Sequence, residues 1–143
     1  MKLSSFILGT VFAVAVIAVL LLVFGVNFQR PLPAQGAALY DPANETVLQG
    51  TVQETREYAC PVSEGEIGSH LMLQTADGVF QVHLAPARVM RSQKLSFAVG
   101  DQIQVAGSKL RLLGSNHVIA REIIRGNESW IFRDREGKLI LVQ

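Results

Sequence analysis

An uncharged apolar run near the amino terminus is the strongest constraint on what this chain can form. From Phe6 to Phe28, 19 of 23 positions are apolar and none is charged. As a helix that rises about 1.5 Å per residue, the run would be roughly 34 Å long, enough to cross the hydrocarbon core of a bilayer. Its interior is apolar on every side, whereas a helix that lies on a membrane surface keeps one polar face. The sequence therefore predicts a transmembrane helix from Phe6 to Phe28.

A cleaved secretory signal is the alternative interpretation of this run. The apolar part of such a signal normally spans about 7 to 15 residues and ends at a site of small residues. Here the apolar run is longer, and the small residues of Ala34-Gln35-Gly36 follow only after Pro31 and Pro33. We therefore expect a retained anchor, and the membrane is the destination of the chain under either interpretation.

The few charges that flank the run predict how the chain is oriented and divided. Lys2 precedes the run, and Arg30 alone follows it before the acidic Asp41. Because basic residues next to a membrane helix tend to stay in the cytoplasm, we expect a single-pass protein with a cytoplasmic amino terminus and an extracytoplasmic domain. Residues 1–29 form the predicted anchor, 30–45 a linker rich in proline and small residues, and 46–143 the folded domain.

Beyond residue 45, short predicted strands alternate with turn residues. The clearest hairpin joins 70–76 to 79–85 through Asp77-Gly78, because this pair of residues adopts the positive φ angles of a two-residue turn. Side chains of a strand alternate between its two faces. The hairpin positions predicted to face the core are Leu71, Leu73, Phe80, Val82 and Leu84.

The order of the predicted elements indicates a small barrel. Three strands are followed by a short helix over 87–94, two more strands over 102–113 and 117–124, and a hairpin over 129–142. Small sheets hide their edges by closing, and this order is typical of the OB-fold, a small β-barrel. We predict a mainly β domain, an OB-like barrel with one short helix and a C-terminal hairpin. A flat sandwich is the alternative.

Several segments spread over residues 46–138 resemble known proteins. They are Gly50-Thr-Val, Tyr58-Ala-Cys-Pro-Val-Ser, Gly68-Ser-His-Leu, Val82-His-Leu-Ala-Pro-Ala, Val99-Gly-Asp-Gln-Ile-Gln-Val-Ala-Gly-Ser, Val118-Ile-Ala-Arg-Glu-Ile and Phe132-Arg-Asp-Arg-Glu-Gly. With them the chain resembles a group of small exported or membrane-anchored bacterial proteins that are regarded as OB-like and have no established function. The resemblance implies the fold, and it brings no catalytic residues. With the amino-terminal run, we expect the chain to lie in the bacterial inner membrane.

One face of the hairpin carries a possible metal site. The predicted register places Met72 opposite His83, with His70 on the same face and Cys60 ten residues before His70. Opposed side chains lie about 5 Å apart at Cβ, so these groups could approach one ion. Thiolate, thioether and imidazole suit copper, and zinc also takes cysteine and histidine. In the alternative interpretation the histidines face solvent, Met72 covers a groove and Cys60 is a buried apolar residue.

Sequence signals for catalysis are weak. The chain has no Gly-x-Ser-x-Gly turn, no glycine-rich phosphate loop and no zinc-protease helix motif. Cys60 and His70 could be drawn as a nucleophile and its base, but Pro61 and a strand-and-loop setting offer no helix N-terminus to activate the thiol. We therefore expect no enzymatic activity.

Nucleic-acid binding is not expected either. Residues 88–125 hold seven Lys and Arg against two Asp and Glu. Binding of single strands also requires aromatic side chains along the basic groove, and this segment has only Phe97. The sequence thus predicts a membrane-tethered extracytoplasmic binding or scaffolding module without a cofactor, whose partners are the lipid bilayer and an envelope protein. The alternative is an exported copper- or zinc-binding protein that uses His70, His83, Met72 and Cys60.

Overall fold

A computed structural model describes residues 39–63 and 65–142 of the chain. The predicted anchor from Phe6 to Phe28 and the first part of the predicted linker lie outside the described residues. Within the described ranges, no helix combines the length and the apolar character needed to cross a bilayer.

The described part of the chain is mainly β. Its elements are β1 (Glu45–Ala59), β2 (Ile67–Thr75), β3 (Gly78–Pro86), α1 (Ala87–Ser92), β4 (Gln102–Leu112), β5 (Ser115–Arg125), β6 (Glu128–Arg133) and β7 (Leu139–Val142). Short 3₁₀ helices at Pro42–Asn44 and Pro61–Ser63 flank β1. The order is the predicted one, with three strands, a helix, two strands and a hairpin.

The strands form one sheet that closes on itself. Its order is β3-β2-β1-β4-β5-β6-β7, and neighbours along this order are antiparallel. β3 also pairs in parallel with β5, where Val82 lies opposite Val118. This second pairing closes the first five strands into a barrel, with α1 between β3 and β4, and the architecture is OB-like as predicted.

The first strand changes partners halfway along the barrel. β1 pairs with β4 as far as Thr51 and with β2 from Gly50 onwards. A Cβ added at Gly50 would lie 2.2 Å from the backbone oxygen of Gln74. A glycine is therefore required where the backbone of β2 crosses close to β1.

The predicted core face of the hairpin is buried. Its members have exposed fractions between 0% and 2%, and they are Leu71, Leu73, Phe80, Val82 and Leu84. Trp130 and Phe132 of β6 are also buried, at 5% and 0% exposure. The C-terminal hairpin therefore packs onto the barrel through its aromatic side chains.

The register of the hairpin differs from the predicted one by two residues. Thr75 pairs with Gly78 and Met72 pairs with Gln81, because the turn is formed by Ala76-Asp77. The Thr75 hydroxyl donates to the carbonyl oxygen of Gly78 at 2.9 Å, which secures the turn one residue earlier. Since a shift of two residues leaves every side chain on its original face, the buried set was predicted correctly while the cross-strand partners were wrong.

Candidate metal centre

The second face of the hairpin is buried at the end that carries the two histidines. His70 and His83 lie directly opposite each other on β2 and β3, with exposed fractions of 2% and 3%. Beyond the end of β1, the chain turns through Cys60 and the 3₁₀ helix Pro61–Ser63 and covers this face. The histidines are therefore interior groups, contrary to the alternative in which they face solvent.

Cys60 brings a thiol to the two imidazoles. Its Sγ atom lies 3.1 Å from Nε2 of His70 and 3.7 Å from Nδ1 of His83. The thiol also lies 3.4 Å from the hydroxyl of Ser63 and is 5% exposed. One sulfur and two nitrogen atoms thus lie within 4.8 Å of one another.

The three ligand atoms can bind one metal ion if they move closer together. Bonds of about 2.3 Å to sulfur and 2.0–2.1 Å to nitrogen place a sulfur about 3.5 Å from a nitrogen around tetrahedral zinc. The two distances from Cys60 Sγ, 3.1 and 3.7 Å, bracket this value. At most 4.8 Å separates the imidazole nitrogens, against roughly 3.4 Å in such a site, so an ion would draw the rings together.

His117 supports the site from the far side of His83. Its Nδ1 lies 2.9 Å from Nε2 of His83, and the two rings stack with centroids 5.2 Å apart. If His83 Nε2 carries the ring proton and donates it to His117, His83 Nδ1 keeps its lone pair towards Cys60. Metal-binding histidines are commonly oriented by such a hydrogen bond from the other ring nitrogen.

Burial keeps the imidazoles neutral. It lowers the pKa of His83 to about 3, and the charges of His70, His117 and Arg133 act in the same direction. It lowers the pKa of His70 to about 4, and the backbone of Arg56 and Gly68 offsets part of that change. Neutral imidazole is the form that binds metal ions, so both rings are ready to do so at neutral pH.

The hydrogen bonding of the cluster is incomplete. The backbone of Arg56 and Gly68 approaches the His70 ring, but in the described part of the chain its buried Nδ1 has no hydrogen bond of good geometry. An unpaired buried polar atom costs about 1 to 3 kcal/mol. This atom is the second ring nitrogen of His70, since Nε2 is the one that lies 3.1 Å from Cys60 Sγ.

Met72 occupies a different position from the predicted one. It is half-buried and lies opposite Gln81 rather than His83, on the same face of β2 as His70. Cys60, His70 and His83 come together without it, and its role as a ligand stays a prediction.

A tyrosine ring and a surface cleft lie beside His70. The ring of Tyr58 stacks on His70 with centroids 4.1 Å apart, and the Tyr58 hydroxyl accepts a hydrogen bond from Gln81. A cleft of about 290 Å³ is lined by His70, Ser69 and Met90 among others. His70 itself is 2% exposed.

A buried arginine lies next to the cluster. Arg133, at the end of β6, is 4% exposed and donates from Nη1 to the backbone carbonyl of Ala120. The preceding residue, Ile119, pairs with His83 and packs with Cys60 in one apolar cluster. Burial lowers the pKa of Arg133 to about 10, so its guanidinium remains charged at neutral pH.

Sequence reasoning missed both His117 and Arg133. His117 reaches the site through the parallel pairing of β3 with β5, in which it lies opposite Gln81. The predicted barrel closure was the signal that could have found it, because closing an OB-like barrel brings the third and fifth strands together. Arg133 had no comparable signal, since nothing local distinguishes a buried arginine at a strand end.

Comparisons with known proteins bear on the family. The model of the MamS/MamX magnetosome protein family matches residues 44–130. Among solved structures, a small single-stranded DNA-binding protein from Streptomyces coelicolor is 18% identical, with 58% of this chain and 91% of that chain covered and a TM-score of 0.47. An OBody bound to hen egg-white lysozyme is 15% identical, with coverages of 64% and 89% and a TM-score of 0.43. No curated protein matches the chain.

Proposed function

The chain belongs to the MamS/MamX magnetosome protein family, and within that bacterial family we propose that it is a membrane-anchored module that binds copper or zinc. The ion is held by Cys60, His70 and His83. The observation that carries the proposal is the convergence of one thiol and two imidazoles, all buried, within 4.8 Å.

The chemistry of the three groups supports metal binding over structural packing. Thiolate and imidazole are the preferred ligands of copper and zinc, whereas calcium and magnesium take oxygen ligands. Within the described ranges, no carboxylate belongs to the group of ligand atoms. Nδ1 of His117 lies 2.9 Å from Nε2 of His83, in a position to orient the His83 ring. The three ligands and the histidine that contacts one of them therefore lie close together.

A non-enzymatic role is part of the proposal. A metal ion bound by Cys60, His70 and His83 would occupy the one thiol of the chain and both imidazoles beside it. No activated nucleophile then remains at this site. We accordingly propose a binding module that holds an ion and offers it to, or receives it from, an envelope protein.

The proposed location outside the cytoplasm rests on the amino-terminal sequence. The uncharged run from Phe6 to Phe28 has the length of a membrane span, and Lys2 before it favours a cytoplasmic amino terminus. We propose that the bilayer of the bacterial inner membrane is the first partner of the chain.

Ion pairs support the proposal that nucleic acid is not a ligand. In the basic segment, Arg88 pairs with Glu66 at 2.7 Å and Arg91 with Glu57 at 3.1 Å. Phe97, the aromatic residue of the segment, is 9% exposed. Paired arginines and a buried ring offer little to a phosphate backbone or to an unstacked base.

Metal titration of the full-length protein in detergent tests the proposed function. We expect sub-micromolar binding of one Cu(I) or Zn(II) ion, lost in Cys60→Ser and in the double variant His70→Ala/His83→Ala. Ser69→Ala, which changes the cleft beside His70 without removing a ligand atom, is the matched control and should bind like the unaltered protein. Equal binding by the double variant and the unaltered protein would contradict the proposal.

A further inference from the structure

The buried charge of Arg133 is a feature that copper or zinc binding alone does not explain. In residues 39–63 and 65–142, no carboxylate lies within ion-pair distance of its guanidinium. Its side-chain hydrogen bond goes to the neutral carbonyl oxygen of Ala120. A positive charge without a counterion is therefore held in the interior, where charges interact much more strongly than in water.

This charge is held against the same backbone segment as the metal ligands. His83 pairs with Ile119 across the parallel strands, and Cys60 packs with the Ile119 side chain. Arg133 binds the carbonyl of the next residue, Ala120. The positive field of Arg133 already opposes a positive charge on His83, and it opposes a charge placed between His83 and Cys60 in the same way.

The total charge of the loaded site differs between monovalent and divalent ions. In the loaded site, the thiolate carries one negative charge, the two imidazoles are neutral and Arg133 carries one positive charge. A bound monovalent ion therefore gives a total of one positive charge. A bound divalent ion gives two, in a buried volume where no carboxylate of the described residues pairs with Arg133. Burial of this second charge destabilises the complexes with Zn(II) and Cu(II). The complex with Cu(I) does not contain it.

We propose that the site is selective for monovalent copper, Cu(I), and that Arg133 determines this selectivity by its fixed charge. The inference rests on the proposed metal-binding function and names the ion. Arg133 acts through the electrostatic field at the ligands and not as a ligand. The ligand set agrees with this choice, because a thiolate and two imidazoles form a soft three-coordinate site that Cu(I) accepts readily.

Variants of Arg133 test the selectivity in competition with chelators of known affinity. The full-length protein in detergent is titrated anaerobically with Cu(I) and separately with Zn(II). Arg133→Met removes the charge and keeps a long apolar side chain, while Arg133→Lys keeps the charge. Arg111→Met removes one positive charge from an exposed position of β4 and is the matched control.

We expect Arg133→Met to raise the affinity for Zn(II) relative to Cu(I) by about tenfold or more. Arg133→Lys and Arg111→Met should keep the ratio of the unaltered protein. A ratio in Arg133→Met equal to that in Arg111→Met would overturn the inference while leaving metal binding in place. Failure of the unaltered protein to bind either ion would overturn the proposed function itself.

A second measurement needs no variant and holds even if Arg133→Met does not fold. The unaltered protein is loaded with Ag(I), a redox-inert stand-in for Cu(I), and exposed to a hundredfold excess of Zn(II). Native mass spectrometry then counts the bound ions. Retention of one Ag(I) supports the inference. Replacement of Ag(I) by Zn(II) contradicts it.

Discussion

Nε2 of His83 lies 2.9 Å from Nδ1 of His117, across the parallel pairing of β3 and β5. The pairing that closes the barrel is therefore also the one that supports the candidate metal centre. A substitution that disrupts the pairing of β3 with β5 should weaken metal binding. Loss of the contact between His83 and His117 alone should weaken metal binding measurably while the barrel stays closed.

Replacement of His117 is the direct check of this coupling. We expect His117→Ala to weaken metal binding by about 10- to 100-fold, because an outer hydrogen-bond partner orients the ligating imidazole. His117→Asn should recover part of the affinity, since its side-chain oxygen can accept from His83. Isothermal titration gives the affinities, and far-ultraviolet circular dichroism verifies the fold. The neighbouring variant Asn116→Ala, at an exposed position, serves as control. Binding by His117→Ala at the unaltered affinity would show that His83 needs no such support.

The metal-free protein should lose stability in mild acid. Burial lowers the pKa of His70 to about 4 and that of His83 to about 3, whereas both titrate near 6.5 when unfolded. Below pH 6.5 these histidines become protonated in the unfolded chain and stay neutral in the folded chain. The free energy of unfolding therefore decreases as the pH falls towards 4. We expect a loss of roughly 1 to 2 kcal/mol per histidine between pH 7.5 and pH 5.

Urea unfolding of the metal-free protein at the two pH values measures this loss. His70→Gln should unfold with a smaller dependence on pH, because one of the three buried imidazoles is gone. Equal stability at pH 7.5 and pH 5 would mean that the imidazoles are accessible to protons in the folded state.

The buried face of the hairpin should dominate the stability of the barrel. Leu73 is 0% exposed, and we expect Leu73→Ala to cost about 2 to 5 kcal/mol through lost packing and a residual cavity. Leu73→Asp should unfold the domain, since it buries an unpaired charge. Val79 of β3 is 40% exposed, so Val79→Ala is the matched control and should cost less than about 1 kcal/mol. Similar midpoints in urea for the two alanine variants would contradict the assigned core.

The predicted anchor and orientation can be checked in cells. We expect protease added to intact spheroplasts to degrade the domain, because a cytoplasmic amino terminus and one span from Phe6 to Phe28 place it outside the inner membrane. A cytoplasmic protein in the same cells is the control and should survive. Protection of the domain until the membrane is lysed would reverse the orientation. A soluble mature chain that starts near residue 37 would indicate a cleaved signal in place of an anchor.

Alternation along the strands was enough to predict the buried face of the hairpin but not its pairing. Leu71 and Leu73 face the core under either register, because a slip of two residues preserves the faces. The partner of Met72 depends on where the turn closes. That position depends on the hydrogen bond from the Thr75 hydroxyl to Gly78, which the sequence pattern does not reveal.

The candidate site was predictable only as far as local spacing extends. Cys60, His70 and His83 lie on adjacent elements, so their sequence separation and a hairpin sufficed to group them. His117 and Arg133 reach the same place through a parallel pairing and through β6. Such contacts depend on the closure of the whole barrel, and periodicity within one strand contains no information about them.

X-ray absorption at the metal edge of the loaded full-length protein tests the central claim most directly. We expect one sulfur at about 2.2–2.3 Å and two imidazole nitrogens at about 2.0 Å, with the sulfur shell absent in Cys60→Ser. Cys60→Ser exposed to the same amount of metal is the control for adventitious binding. A first shell made only of nitrogen and oxygen atoms, identical in the protein and in Cys60→Ser, would contradict the assignment of Cys60, His70 and His83 as a metal centre.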